Sequence, residues 1–196
     1  MKPYTFCPHC AQKLESYQDH PGCNPATGGC GFVHWNNPIP VAATLIVFPS
    51  GNYMKEVERE FYTQMDKGFL TLVRAETREY TGIVTVKRKC EPSAGEWCLP
   101  GGFVNENEDT AAAAIREAKE ESGLVVELLS DQPHMYNIPD RNQTMHFYMG
   151  RPIGGELRAG DDAVEVRIFT LKDLPQLCFY SHQDMAKKWY NGELRV

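Results

Sequence analysis

The stretch DTAAAAIREAKEESG, residues 109–123, leaves this chain less freedom than any other. An alanine run has the highest helix propensity. Asp109 suits the N-cap, and Gly123 suits the position just past the last turn. At about 100° per residue, Ala111, Ile115, Ala118 and Ser122 share one face, and small side chains there predict a helix lying close on a sheet. Glu117, Glu120 and Glu121 then gather on the opposite face. Like charges three and four residues apart repel by about 0.2–0.5 kcal/mol per pair. A divalent cation that takes hard oxygen ligands would reverse the sign of that cost. A solvated acidic face is the competing explanation.

The flanking segments read as the layers such a helix needs. VAATLIVF (41–48) is a short apolar, β-branched run and predicts a buried strand. FLTLV (69–73), GIVTVKRK (82–89), LVVELL (124–129), QTMHFYMGRP (143–152) and VEVRIFTL (164–171) predict further strands, with a Pro- and Asn-containing loop over 130–142. SHQDMAKKWY (181–190) predicts a second helix, with Ser181 as cap, Asp184 at N3 and Met185 and Trp189 as an apolar pair. Residues 53–80 are mixed and charged. The 196 residues suffice for one core with a small appendage.

The appendage is N-terminal. Of seven cysteines, Cys7, Cys10, Cys23 and Cys30 fall within the first thirty residues. CPHC is a knuckle spacing that suits two thiolates on one Zn²⁺, and Gly31 lets the chain turn after Cys30. The second half is C-x6-C, so His9, His20 and His34 compete for one ligand position. A segment this small and Pro/Gly-rich needs a metal to fold. The first residues lack an apolar h-region, and no apolar run reaches the ~20 residues of a membrane helix, so a cytoplasmic protein without a membrane partner is expected. The net charge of −6 argues against nucleic acid as a partner, and a phosphate-ester substrate would need a cation between itself and the acidic chain.

The helix belongs to a longer pattern: Gly102, five residues, Glu108, seven residues, then Arg116-Glu117-Ala118-Lys119-Glu120-Glu121-Ser122-Gly123-Leu124. This resembles the Nudix box, G-x5-E-x7-R-E-U-x-E-E-x-G-U with U a bulky aliphatic, and departs from it only at Ala118. WCLPGGF resembles the usual lead-in. CPHCAQKL and CGFVHWNNP resemble the two knuckles of the zinc-ribbon subgroup that includes NADH pyrophosphatases. The resemblance implies an α+β protein: a zinc ribbon over 1–37 and, over 38–196, a Nudix domain built as an α/β/α sandwich around a mixed sheet, with the stretch at about 50–80 an insertion between the first two strands of that fold.

It also implies roles. Glu117 and Glu121 would bind Mg²⁺ or Mn²⁺, Glu120 would be a third ligand or the base, and Arg116 would pair with a box carboxylate, Glu117 foremost. Gly102, with the Gly101 carbonyl, would lie near the metal. Asp162 would be the later acid, with Glu165 as runner-up and surface solvation as the alternative for Asp162. The reaction implied is hydrolysis of a pyrophosphate bridge in a nucleoside diphosphate joined to another group. NADH pyrophosphatases carry S-Q-P-W-P-F-P after the box; here Ser130 to Pro139 reads SDQPHMYNIP, without the Trp and Phe. Tyr136 and His134 are candidate substrate contacts in their place, so ADP-ribose or a flavin dinucleotide is expected at least as readily as NADH. Two other readings are a nucleotide-sensing module whose ribbon contacts nucleic acid or protein, and a structural ribbon on a domain completed by a partner chain. Homodimers are common in the family.

Overall fold

A computed structural model describes residues 4–49, 80–160, 162–170 and 172–194. The strand expected over 69–73 and nearly all of the insertion lie outside them. The chain divides into two compact units, Met1–Pro38 and Ile39–Val196.

In the first unit, β1 (Glu15–Tyr17) and β2 (His20–Gly22) pair antiparallel. Gln18 and Asp19, the two residues between them, both have positive φ (52° and 63°), which matches the twist of a two-residue hairpin.

The second unit is built around β3 (Ile39–Pro49). The remaining elements are β4 (Tyr80–Arg88), β5 (Trp97–Cys98), β6 (Gly101–Phe103), α1 (Thr110–Ser122), β7 (Leu124–Leu128), β8 (His134–Ile138), β9 (Gln143–Gly155), β10 (Ala163–Thr170) and α2 (Tyr180–Tyr190). The main sheet order is β10-β4-β3-β9-β7, with β5 on β4, β6 on β3 and β8 on β9. The β3–β9 pair is parallel and the others are antiparallel, so the sheet is mixed.

β3 is apolar except at Thr44 because both of its faces are covered. Ala42, Ile46 and Phe48 pack on the side of α1, where Ala113, Ala114 and Ala118 meet them. Ala43, Leu45 and Val47 pack on the other side with Met185 and Ala186 of α2. Each large side chain buried here contributes about 1.5–3 kcal/mol of transfer free energy. Thr44, the polar residue within this run, donates from Oγ1 to the Ala114 carbonyl at 2.9 Å. The result is a helix layer on each face of a mixed sheet, the α+β sandwich that the resemblance implies.

Three local expectations are corrected. The loop expected over 130–142 contains β8, because His134, Tyr136 and Ile138 alternate inward against β9. Ser181 is not a cap: α2 starts at Tyr180, its N-cap Phe179 makes no side-chain cap bond, and Ser181 is buried within the first turn. The buried face of α1 is turned by roughly 70° from the expected one. It comprises Ala113, Ala114, Ala118, Glu121 and Ser122, leaving Ile115 exposed.

Candidate active site

Asp109 caps α1 as expected, its side chain accepting from the Ala112 N–H at 2.7 Å, and Gly123 ends it at φ 76°. The rotation of α1 carries the acidic residues with it. Glu121 is only 8% exposed, and its Oε2 accepts from the Gly101 N–H at 2.9 Å. Glu117 is mostly buried, and only Glu120 stands in solvent. The expectation that all three carboxylates face away from the sheet is therefore corrected.

β6 brings the loop against the helix. Gly101 and Gly102 pair with Ala43 and Ala42. A Cβ on Gly101 would lie 2.5 Å from the Ala42 carbonyl oxygen, and one on Gly102 would land on the Glu117 carboxylate. Glycine is required at both by close approach. The preceding residues are clamped from two sides: the Thr44 N–H donates to the Pro100 carbonyl at 2.9 Å, and the Leu99 N–H donates to Nδ1 of His182 at 3.0 Å. Burial pushes the His182 pKa down to about 3, so the ring is a neutral acceptor. Nothing in the sequence links Leu99 to a histidine 83 residues away.

Arg116 is the hub of the acidic cluster. Its Nε and Nη2 form a two-pronged bond with Glu108 at 2.8 and 2.9 Å. Its Nη1 donates to Glu117 at 2.7 Å and to Glu120 at 2.8 Å, and Nη2 also reaches the Phe103 carbonyl at 3.1 Å. Glu117 is thus one of three carboxylate partners, and Glu108 takes the bidentate bond. The Arg116 guanidinium, with the Asn105 N–H, holds the Glu108 pKa down to about 2. Burial raises the pKa of Glu117 against the pull of Arg116. Burial pushes Glu121 up to about 7; Gly101 opposes this, and the charges of Glu117 and Asp162 add to it.

Asp162 is exposed, and its charge reaches Glu121 because the chain after β9 runs beside the end of α1. Gly160 and Arg158 donate their N–H groups to the carbonyls of Glu121 and Ser122, and Lys89 donates to the Asp162 carbonyl at 3.0 Å. Glu165 instead pairs with Arg167 and Lys87. Tyr136 and His134 share the β8 face that packs toward α2, across the sheet from α1. Tyr136 donates to Asp184 at 2.7 Å and accepts from Lys188 at 2.9 Å, so Asp184 serves this contact rather than a capping box.

Cys7, Cys10, Cys23 and Cys30 bring their four Sγ atoms within 4.8 Å of one another. The two knuckles repeat one design. Ala11 and Gly31, each following the second cysteine, have φ 60° and 84°. Each donates its N–H to the carbonyl of the first cysteine, Cys7 or Cys23, at 2.9 Å. The Cys7 and Cys23 sulfurs also accept N–H bonds from His9 and Cys30, at 3.4 and 3.3 Å. The C-x6-C spacing closes like C-x-x-C because a single 3-10 turn, Pro25–Thr27, loops out. His9, His20 and His34 lie against Phe32, Trp35 and Tyr4 instead. The Gln12 backbone and the Cys23 thiol pull the Cys10 pKa down to about 7. Among the described residues, no other group of three or more Cys, His, Asp or Glu is gathered this tightly.

Known proteins resemble this arrangement. The NUDIX domain model matches residues 66–190. An ADP-ribose pyrophosphatase of Methanocaldococcus jannaschii is 42% identical over 117 residues, covering 56% of this chain and 68% of that protein. Nudix hydrolase 8 of Arabidopsis thaliana is 34% identical over 89 residues, 43% of this chain and 24% of its own length. The crystal structure of a NUDIX hydrolase from Nitrosomonas europaea superposes with a TM-score of 0.68 at 20% identity, over 96% of this chain and 94% of that one, a likeness of fold. The domain match spans more than half of the residues and takes in the whole of α1, and on that ground the chain belongs to the Nudix family of hydrolases.

Proposed function

We propose that this chain cleaves the pyrophosphate bridge of a nucleoside diphosphate linked to a second group, with ADP-ribose the foremost substrate. The observation that carries the reading is the carboxylate set on α1, held by Arg116 against β6, with Glu121 buried among like charges. A carboxyl whose ionised form is opposed by burial and by Glu117 and Asp162 fits a divalent cation, which would make that charge favourable.

Glu117 and Glu121 would hold Mg²⁺ or Mn²⁺, with the backbone of Gly101 and Gly102 alongside and Asp162 completing the oxygen set. When bound, such ions neutralise the pyrophosphate and acidify water. Glu120, the exposed carboxylate, would be a third ligand or accept the proton of the attacking water. Arg116 fixes the box carboxylates, and Glu108 anchors Arg116 from the other side. Tyr136 braces β8 on α2 through Asp184 and Lys188, and His134 shares that face across the sheet from the carboxylates, so neither carries a substrate contact in this reading. In the N-terminal unit the four thiolates would hold one structural Zn²⁺, making residues 1–37 a zinc ribbon.

Two points support the ADP-ribose class over NADH. The relative from M. jannaschii is an ADP-ribose pyrophosphatase, and the stretch after the box lacks the aromatics of the NADH marker. The test is Mg²⁺-dependent hydrolysis of ADP-ribose to AMP and ribose 5-phosphate, beside NADH and a flavin dinucleotide under the same conditions. ADP-ribose should give a kcat/KM no lower than NADH, and Glu120→Gln should cut turnover at least ~100-fold. Near-full turnover by Glu120→Gln, or activity confined to nucleoside triphosphates, would sink the proposal. A sensing module would bind these ligands without releasing products.

A further inference from the structure

Three of the seven cysteines lie outside the ribbon: Cys90, Cys98 and Cys178. Two of them are neighbours. The chain just before α2 runs parallel to β5, where Trp97 bridges Leu177 and the Cys178 N–H donates to the Trp97 carbonyl at 2.8 Å. Trp97 and Leu177 both face the α2 core, so by alternation the next residues, Cys98 and Cys178, both face the other way. There they pack in one cluster with Val86 and Ala163. Paired strands lie ~4.7–4.9 Å apart, inside the ~4.4–6.8 Å Cα separation that a disulfide spans.

The two thiols are unequal. Cys98 is 2% exposed, whereas Cys178 is only half-buried, within reach of a small solute. Interaction with the Cys98 thiol, helped by the charge of Arg88, pulls the Cys178 thiol down against burial. Interaction with Cys178, together with burial, pushes the Cys98 thiol up. Cys178 therefore suits attack on an oxidant, and Cys98 suits the second, resolving step. Both also adjoin one hydrogen bond of the active-site loop. Leu99 follows Cys98 and donates its N–H to His182. Phe179 follows Cys178 and packs on His182 at 5.1 Å. A bond between the two sulfurs would close a ring through Leu99, His182 and Phe179, just ahead of the Gly101 N–H that holds Glu121.

We propose that Cys98 and Cys178 form a redox-active dithiol, whose closure to a disulfide lowers turnover by distorting the loop from Leu99 to Gly101. The oxidant is a low-molecular-weight disulfide. The Cys178 thiolate attacks one of its sulfurs, forms a mixed disulfide and releases one thiolate. Cys98 then loses its proton and attacks the Cys178 sulfur, which releases the second thiolate. Two protein thiols are oxidised and one small disulfide is reduced to two thiols. The turnover readout rests on the hydrolase reading above, and the mapping of the bond does not.

The test incubates the zinc-loaded full chain with oxidised glutathione. Peptides are then mapped without reduction after cleavage at glutamates, where a cut at Glu96 separates Cys90 from Cys98. A Cys98–Cys178 bond should appear, and because it closes a long loop the melting temperature should rise by at least ~5 °C. Turnover of ADP-ribose with Mg²⁺ should fall at least ~10-fold, and dithiothreitol should restore it. Cys178→Ser, which keeps the four ribbon thiolates, should show none of these changes, and Cys98→Ala should stop at glutathione on Cys178. A bond from Cys90 instead, no Cys98–Cys178 bond, or a bond that leaves turnover within twofold of the reduced protein overturns the proposal. If the reduced protein hydrolyses no pyrophosphate, the hydrolase reading falls, and the mapped bond with its melting shift still decides the dithiol.

Discussion

Glu121→Gln tests the site through stability as well as turnover. The carboxyl is 8% exposed, and burial raises its pKa from 4.5 to about 7 in the folded, metal-free protein. A folded pKa above the unfolded one means that folding favours the protonated form. Its stabilising contribution is complete below about pH 4.5 and is lost as pH rises through about 7. A shift of that size corresponds to roughly 3 kcal/mol across the window, as an upper bound. Glutamine keeps the shape and an oxygen for the Gly101 N–H but cannot ionise. Urea unfolding in EDTA at pH 4.5, 6 and 8.5 gives the difference between the two proteins, in which other titrating groups cancel. Glu121→Gln should gain on the unmodified protein by ~1–3 kcal/mol from the lowest to the highest pH. Added Mg²⁺ should narrow the difference at pH 8.5: at ten times its Kd it stabilises the unmodified protein by about 1.4 kcal/mol, and the variant by much less. Parallel pH curves for the two proteins, or equal stabilisation by Mg²⁺, would refute the argument that Glu121 is a buried carboxyl awaiting a cation.

The other predictions concern the loop and the thiols. Gly102→Ala puts a methyl where the Glu117 carboxylate lies, so turnover should fall at least ~10-fold while the melting temperature moves little; full activity would show that Glu117 need not stay there. Metal analysis of Mg²⁺-free protein should find about one zinc per chain, lost in Cys23→Ser as in Cys7→Ser and kept in His9→Ala. Zinc retained by Cys23→Ser would show that a histidine can replace the fourth thiolate.

What the sequence reveals here is what short-range rules govern. The cap at Asp109, the stop at Gly123 and the motif spacing all act within one helix, and all are legible. The rotation of α1 is not, because the side that becomes buried depends on where Ala42, Ile46 and Phe48 of a strand some seventy residues earlier come to lie. Periodicity chose the face with Ile115, and packing preferred the alanines beside Glu121. β8 escaped notice since its Pro and Asn neighbours read as loop, whereas its pairing is decided by β9. The fourth thiolate stayed open because C-x6-C does not state that Asn24 to Gly29 loops out. His182 had no signal at all; its role exists only once α2 meets the loop at Leu99.

Ala118 connects these threads. The box pattern has a bulky aliphatic at that position, and here the side chain is a methyl, 0% exposed, against Ile46, Phe48, Val84 and Leu124. The large residues of the contact come from the sheet, so α1 lies on them through alanines. Thr44 Oγ1 reaches the Ala114 carbonyl at 2.9 Å across the same contact. Glu121 lies one turn along the same buried arc, and its bond to the Gly101 N–H exists only at that approach. A leucine at 118 would have to displace Ile46 or Phe48, both 0% exposed, or lift the helix. Lifting it would draw Glu121 off Gly101 and Glu117 away from Gly102. The small-residue face thus sets the depth at which the carboxylates sit, and with it both the burial that raises Glu121 and the distance from the loop at which a cation would be held.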